Sequence, residues 1–215
     1  TNPDARNVIA LIDLAERTTY DPDLIPNLSS AYPNNGSNNL YDQVANDPTT
    51  RNFISASGQL ISSYGYESGV HFEKIENARR LDPTEYTFHS QLGYISLDRK
   101  VADNQVLAVA YEYTVPGENF PRQVGEFAND IADGGSSLFL KLLKSTQVNN
   151  TKLPLWTLMM KNVYSTGQYG IDAATLDIDI YYNDPKSNND INYLPAGSAG
   201  DKPIRWLELL NMDQL

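Results

Sequence analysis

The clearest alternation of hydrophobic and polar positions lies between residues 70 and 115. Residues 86 to 92 alternate so that Tyr, Phe, Ser and Leu fall on one face of a strand and Thr, His and Gln on the other. Gly93 permits a bend, residues 94 to 97 continue as a strand, and residues 106 to 115 form another. This stretch predicts consecutive β-strands joined by tight polar turns.

Helical spacing of apolar residues predicts two to four short helices. Residues 40 to 46 are predicted to form one or two turns of helix that end at Asp47-Pro48. A second helix is predicted from an N-cap at Thr49-Thr50 to Gly65 or Gly69. A third starts at Pro154, carries Leu155, Trp156, Met159, Met160 and Val163 on one face, and closes at Gly167. A final short helix is predicted over residues 203 to 210.

The remaining segments complete the predicted architecture. Strands are expected over residues 7 to 14 and 175 to 182, and irregular connections over residues 18 to 39 and 183 to 200. The apolar run 138 to 143 is too short to assign to helix or strand. The pattern indicates an α+β fold with a mainly antiparallel sheet, two to four short helices and long loops. We expect one domain over residues 1–215, with 1–65 as a loop-rich lead-in and 66–215 as the main body.

Composition narrows the functional classes. The chain has 27 acidic and 16 basic residues, a net charge of -11, and no basic cluster of the kind that phosphate binding requires, so nucleic acid is not an expected partner. With no cysteine it has no disulfide, thiolate zinc site or cysteine nucleophile. No apolar run approaches the ~18 residues of a membrane helix, so the domain is not expected to span a membrane. Both termini look cut, which suggests a fragment of a larger protein.

The sequence offers little chemistry. His71 and His89 have no metal-type spacing, and the serine-hydrolase elbow, the P-loop and the dinucleotide fingerprint are absent, so we expect no catalytic residues and no cofactor. In a strand, Asp177 and Asp179 would project about 6–7 Å apart on one side. With Asp184 and Asp190 they are candidate calcium ligands, although the segment matches no EF-hand loop. The alternative is an ordinary solvated strand face.

Two further surfaces are candidates for binding. Exposed tyrosines can stack on sugars, although tyrosine is also a normal half-buried strand residue; the candidates are Tyr64, Tyr66, Tyr94, Tyr164, Tyr169, Tyr181, Tyr182 and Tyr193. In the final predicted helix, Trp206, Leu209 and Leu210 are candidates for docking a partner or the rest of a longer chain.

Several phrases of the sequence resemble a known family. They are FEKIENARRLDPTEYTFHSQLGYISLDRKVADNQVLAVAYEYT (72–114), QVGEFA (123–128), LFLKLLKS (138–145), PLWTLMMKNVYSTG (154–167) and KPIRWLELLNMDQL (202–215). In this order they resemble the SprA/Sov family, the giant outer-membrane proteins of type IX secretion and gliding motility in Bacteroidetes. From residue 72 to residue 215 the phrases span about two-thirds of the chain, and the first ~65 residues resemble the family more loosely.

The resemblance implies a non-catalytic structural or interaction domain of an outer-membrane translocon that exports folded proteins. Its expected partners are the rest of the parent barrel, the partner subunits and secreted cargo. Its expected location is at the outer membrane, on the periplasmic or the cell-surface side. The alternative left open by the residues is a surface carbohydrate-binding or calcium-stabilised adhesion module.

Overall fold

The structure is a computed structural model that divides into two compact units, Thr1–Met159 and Met160–Leu215. It describes residues 5–23, 25–28, 30–90, 93–129, 131, 135–149, 151–160, 170, 172, 174–175, 177–185, 187–194 and 203–210. The prediction of a single domain stays a prediction, and the two units are described separately.

The described residues form twelve strands and five α-helices. In chain order they are β1 (Arg6–Leu11), α1 (Leu40–Asn46), α2 (Pro48–Arg51), α3 (Phe53–Tyr64), β2 (Phe72–Ala78), β3 (Tyr86–His89), β4 (Tyr94–Leu97), β5 (Leu107–Val109), β6 (Tyr111–Tyr113), β7 (Arg122–Val124), β8 (Leu138–Lys144), α4 (Leu153–Leu158), β9 (Tyr182–Asp184), β10 (Asn189–Ile191), β11 (Tyr193–Leu194), β12 (Ile204–Arg205) and α5 (Trp206–Leu209).

A four-stranded sheet with the order β2-β1-β8-β5 forms the centre of the first unit. β1 pairs antiparallel with β2 and parallel with β8, and β5 pairs antiparallel with β8. Both faces of β1 are covered: Ile9 and Leu11 belong to one apolar cluster, and Val8 and Ala10 to another. A strand buried on both faces needs a continuous apolar run, which explains the sequence of β1.

The first 65 residues are therefore central to this unit, whereas the sequence pattern predicts a loop-rich lead-in for them. The side chains of α1 and α3 pack with Ile9 and Leu11 of β1, and Leu40, Val44 and Leu60 are fully buried. Residues 18 to 39 contain no helix or strand among those that the structure describes, as the Pro-rich and Asn-rich composition predicts.

The α+β class with mostly antiparallel pairing is confirmed. The helix expected from Thr49-Thr50 to Gly65 is two helices, α2 and α3, which raises the number of helices to five. The side chain of Asp47 caps α2 by accepting a bond from Thr49 N, and that of Asn52 caps α3 by accepting one from Ile54 N. The predicted N-cap at Thr49-Thr50 is therefore wrong. Gly65 ends α3 in the left-handed conformation at φ 62°.

The strand predicted over residues 106 to 115 is divided into β5 and β6, which belong to different sheets. β6 pairs with β7 in a small two-stranded sheet. The division lies at Ala110, next to the close approach of Gly125: a Cβ added at Gly125 would lie 3.1 Å from the Ala110 Cβ. The undecided run at residues 138 to 143 is the strand β8.

Helix α4 is shorter than predicted. It begins near Pro154, as expected, and ends at Leu158, because Met159 has an extended conformation at φ -72° and ψ 135°. Val163 and Gly167, which were expected to complete this helix, lie outside the described residues.

The second unit corrects two predictions. Its described residues contain two small antiparallel sheets, β9 with β10 and β11 with β12. β10, β11 and most of β9 lie in the segment 183 to 200 that was expected to be a loop, whereas β12 lies at the start of the predicted final helix. The strand predicted over residues 175 to 182 is wrong for the described residues 175 and 177 to 181, which are not in a strand, and β9 begins only at Tyr182. The final helix is the short α5, which follows β12.

Candidate functional site

The hairpin of β3 and β4, within the longest phrase of the family resemblance, has one apolar and one polar face. Tyr86 lies opposite Leu97, and Phe88 lies opposite Ile95. Residues that face each other across an antiparallel pair share a side of the sheet, and residues two apart on one strand do so too. These four side chains therefore form one apolar face, called here the hairpin face.

The hairpin face is open to solvent in the described structure. Phe88 is 61% exposed and Ile95 39%, while Tyr86 and Leu97 are half-buried. β3 and β4 pair with each other, and no third strand joins them among the described residues. A two-stranded hairpin is at best marginally stable in water and needs a further strand or a packing partner. The hairpin face thus has the properties of a docking surface.

A capped turn and the Arg79–Glu85 ion pair lie at the base of the hairpin, directly before β3. Pro83–Glu85 form one 3₁₀ turn that is capped by Asp82, whose carboxylate accepts a bond from Thr84 N at 2.9 Å. Glu85 accepts two bonds from Arg79, at 2.5 and 3.0 Å, and one from Asp82 N. The hydrogen bonds from Arg79 lower the pKa of Glu85 to about 2. Glu85 is therefore ionised at neutral pH, and its bonds to Arg79 and Asp82 fix the turn that leads into β3.

The polar face of the hairpin carries His89. Its ring stacks on Tyr94 with the centroids 4.3 Å apart, and its Nε2 lies 3.3 Å from Ser96 Oγ. Ser96 is exposed, and the contact is too long and too open to solvent for an activated nucleophile. The arrangement stabilises the hairpin and gives no support for catalysis.

The other histidine, His71, is buried beside two tyrosines. Its ring centroid lies 4.3 Å from that of Tyr20 and 5.2 Å from that of Tyr66. Nδ1 accepts a bond from Glu67 N at 2.9 Å, which places the proton of the neutral ring on Nε2. Nε2 is buried and has no hydrogen-bond partner among the described residues. Burial lowers the pKa of His71, so the neutral form is favoured.

Asp13 lies behind Tyr66 in the same cluster. It accepts bonds from Tyr66 OH and Tyr20 N, both at 3.2 Å. Burial raises the pKa of Asp13, and burial together with Asp13 raises the pKa of Tyr66. These shifts have an ordinary structural origin, because the groups are enclosed in the core beneath the loop that leads into β2.

The predicted calcium ligands are not gathered into a site. Asp179 accepts bonds from Asn192 Nδ2 at 2.6 Å and Ile180 N at 3.0 Å, and its carboxylate lies 3.3 Å from Arg205. Asp184 accepts from Ser187 at 2.7 Å, Asp190 accepts from Asn183 at 2.8 Å, and Asp177 is exposed outside any strand. No group of three or more His, Asp or Glu side chains is placed to hold a metal ion in the part of the chain that the structure describes. The calcium hypothesis gains no support.

The candidate docking residues of the second unit have different environments. Trp206 is half-buried: its Nε1 donates to Ile191 O at 3.1 Å, and its ring lies 5.9 Å from that of Tyr182. Leu209 and Leu210 are 46% and 51% exposed. Trp206 thus anchors α5 within its own unit, whereas the two leucines present an apolar surface.

The tyrosines considered for sugar stacking are dispersed. Tyr66 is buried in the core, Tyr64 and Tyr94 are half-buried, and Tyr164 and Tyr169 lie outside the described residues. The remaining three, Tyr181, Tyr182 and Tyr193, are exposed in the second unit.

Comparison with known proteins finds no matching family model and no matching curated protein. Within the described ranges, every helix is too short or too polar to cross a bilayer. The described geometry provides an amphipathic hairpin whose apolar face is exposed and whose base carries the Arg79–Glu85 ion pair.

Proposed function

We propose that this chain is a non-catalytic interaction domain of a type IX secretion and gliding-motility outer-membrane translocon. In this role it contributes to protein export by contacting the rest of the parent barrel, a partner subunit or cargo, at the outer membrane. The ordered phrases that resemble the SprA/Sov family support the assignment. The observation that carries it is the hairpin face.

The hairpin face supports association for an energetic reason. Phe88 and Ile95 lie opposite each other and remain in contact with water. Full burial of one such side chain against a partner stabilises the complex by about 1.5–3 kcal/mol. A partner that covers the face, or adds a strand to either edge of the hairpin, supplies the packing that a two-stranded sheet lacks.

The experiment introduces Phe88→Ser and Ile95→Ser together into the intact parent protein and measures secretion of type IX cargo. The matched control is Ile54→Ser with Ile61→Ser, which removes two exposed apolar side chains of α3, 87% and 52% exposed. Barrel assembly is checked by heat-modifiable migration of the parent protein in both variants. We expect lost or strongly reduced export in the hairpin variant and normal export in the control.

Normal export in the hairpin variant, with the barrel assembled, would contradict the docking role of the hairpin face. Deletion of residues 1–215 from the parent then tests the wider assignment. Normal export without the whole segment would leave an accessory surface module as the better account.

A further inference from the structure

A small, open cleft in the first unit shares no lining residue with the hairpin face. Residues 34 to 36 line it on one side and residues 118 and 120 to 123 on the other, and its volume is about 360 Å³. Small-molecule sites in proteins span roughly 300–1,000 Å³, so the cleft is at the small end of the range. This size suits a ligand of one or two sugar rings.

Hydrogen bonds hold both sides of the cleft in place. The amide of Asn35 accepts from Gly125 N at 2.8 Å and donates to Gly125 O at 3.0 Å, and Asn35 N donates to Gln123 O at 2.8 Å. On the same side, Asn34 Oδ1 accepts from Gly36 N at 2.6 Å. These bonds fix residues 34 to 36 against residues 123 to 125 without a ligand, and such preorganisation reduces the entropic cost of binding.

The charges in the cleft cancel. Arg122 donates two bonds of 2.6 Å to the carboxylate of Glu118, and a third of 3.0 Å to Ser30. The other lining residues are Asn34, Asn35, Gly36, Phe120, Pro121 and Gln123, all neutral. A bound anion would face Glu118, and a cation would face Arg122. The cleft therefore favours a neutral ligand.

Its polar pair still has hydrogen-bonding capacity. A guanidinium has five N–H donors, of which Arg122 uses three here, and a carboxylate has about four acceptor positions, of which two are taken by these bonds. Side by side, the two groups offer donors and acceptors to the hydroxyl groups of a ligand.

Phe120 provides an apolar surface beside this polar pair. Its side chain is 79% exposed and is followed by Pro121. The guanidinium carbon of Arg122 also lies 5.2 Å from the ring centroid of Tyr32. A flat apolar ring next to paired polar groups matches a ligand that has one C–H face and a rim of hydroxyl groups.

We propose that this cleft binds a neutral saccharide, with one face of a pyranose ring against Phe120 and hydroxyl groups bonded to Glu118 and Arg122. The site differs from the tyrosines that the sequence suggested for sugar stacking. It does not rest on the translocon assignment, because its residues lie outside the hairpin face.

The test uses the 215-residue chain on a glycan array of neutral bacterial, plant and animal saccharides. The affinity of each hit is then measured by isothermal titration calorimetry. Phe120→Ala should weaken binding about tenfold or more, and Phe120→Tyr, which keeps the ring, should bind like the original chain. The matched control is Ile54→Ala, which removes a largely exposed apolar side chain of α3 outside the cleft and the hairpin face and should leave the affinity unchanged.

Since Phe120 is largely exposed, its replacement should not disturb folding, and melting temperatures check this. No binding to any glycan on the array would overturn the proposal. Equal affinities of the original chain and Phe120→Ala would overturn it as well. Neither result bears on export, so failure of this site is distinguishable from failure of the proposed translocon role.

Discussion

Arg51 and Glu126 meet in two parallel hydrogen bonds of 2.8 Å although 75 residues separate them in the chain. Glu126 is almost fully buried, and it also accepts from Phe139 N at 2.9 Å and Tyr41 OH at 3.1 Å. One carboxylate therefore joins the end of α2 to α1 and to β8. Arg51 also donates to Ala45 O in α1 and to Ser137 O next to β8, so its guanidinium and the Glu126 carboxylate lie at the junction of three elements.

Replacing Arg51 with Ala should lower the free energy of unfolding by about 3–5 kcal/mol, because the carboxylate of Glu126 would remain buried without its cation. Urea unfolding followed by tryptophan fluorescence and circular dichroism measures the loss. The control is Arg79→Ala, which removes the cation of the exposed Arg79–Glu85 pair. Exposed pairs contribute little to stability, so equal losses in the two variants would contradict the assigned importance of Glu126.

Neighbouring residues of α3 should respond very differently to truncation. Leu60 is fully buried and Ile61 is 52% exposed. Leu60→Ala should cost about 2–5 kcal/mol of unfolding free energy, because it removes packed atoms and leaves a cavity. Ile61→Ala should change it by no more than about 0.5 kcal/mol. Thermal or urea denaturation of both variants gives the comparison, and a similar cost at both positions would mean that α3 presents a different face to the sheet.

Two glycines should show effects of opposite sign when replaced with alanine. Gly58 is exposed in the middle of α3 and has no atom within 4 Å of an added Cβ, so Gly58→Ala should stabilise the protein by about 0.5–1 kcal/mol. Gly125 has φ 74°, and its added Cβ would meet Ala110, so Gly125→Ala should destabilise it. The shifts in melting temperature test both, and a stabilising Gly125→Ala would contradict the close approach that separates β5 from β6.

Local patterns predicted the local elements well. Alternation located β3 and β4, and the Asp47-Pro48 pair marked the end of α1. In contrast, the parallel pairing of β1 with β8 joins residues about 130 positions apart, and nothing local specifies it. For that reason the local pattern predicts only a loop-rich lead-in for the first 65 residues, although β1 lies within the sheet and is buried on both faces.

The alternation of apolar and polar residues predicts the wrong structure where tertiary contacts determine the backbone conformation. Residues 177 to 181 alternate like a strand, yet Asp179 bonds to the side chains of Asn192 and Arg205 and to the adjacent Ile180 N. The saccharide cleft was missed because its two sides are far apart in the sequence and lie in irregular or turn-rich segments. The available signal was the four-residue spacing of Glu118 and Arg122 around an exposed Phe-Pro pair.

The stability of the first unit should depend on pH through His71. Burial lowers the pKa of His71 in the folded protein below the ordinary value of 6.5. Between 6.5 and that lowered pKa, the unfolded chain binds a proton that the folded protein does not, so stability falls as the pH decreases. The charged groups near the ring are Glu67 and Lys152, which form an ion pair at 2.5 Å. Protonation of Nδ1 would also break its bond from Glu67 N.

The expected loss is at most about 1.4 kcal/mol per pH unit for this one proton. His71→Gln should remove this slope, since its amide oxygen can still accept from Glu67 N but does not titrate. Asp13 acts in the opposite direction: its pKa is raised by burial, so folding gains stability as the pH falls from that raised pKa to about 3.8. Asp13→Asn should therefore steepen the loss of stability at low pH. Urea unfolding from pH 7.5 to 4 measures all three proteins, and an unchanged slope in His71→Gln would exclude His71 as its source.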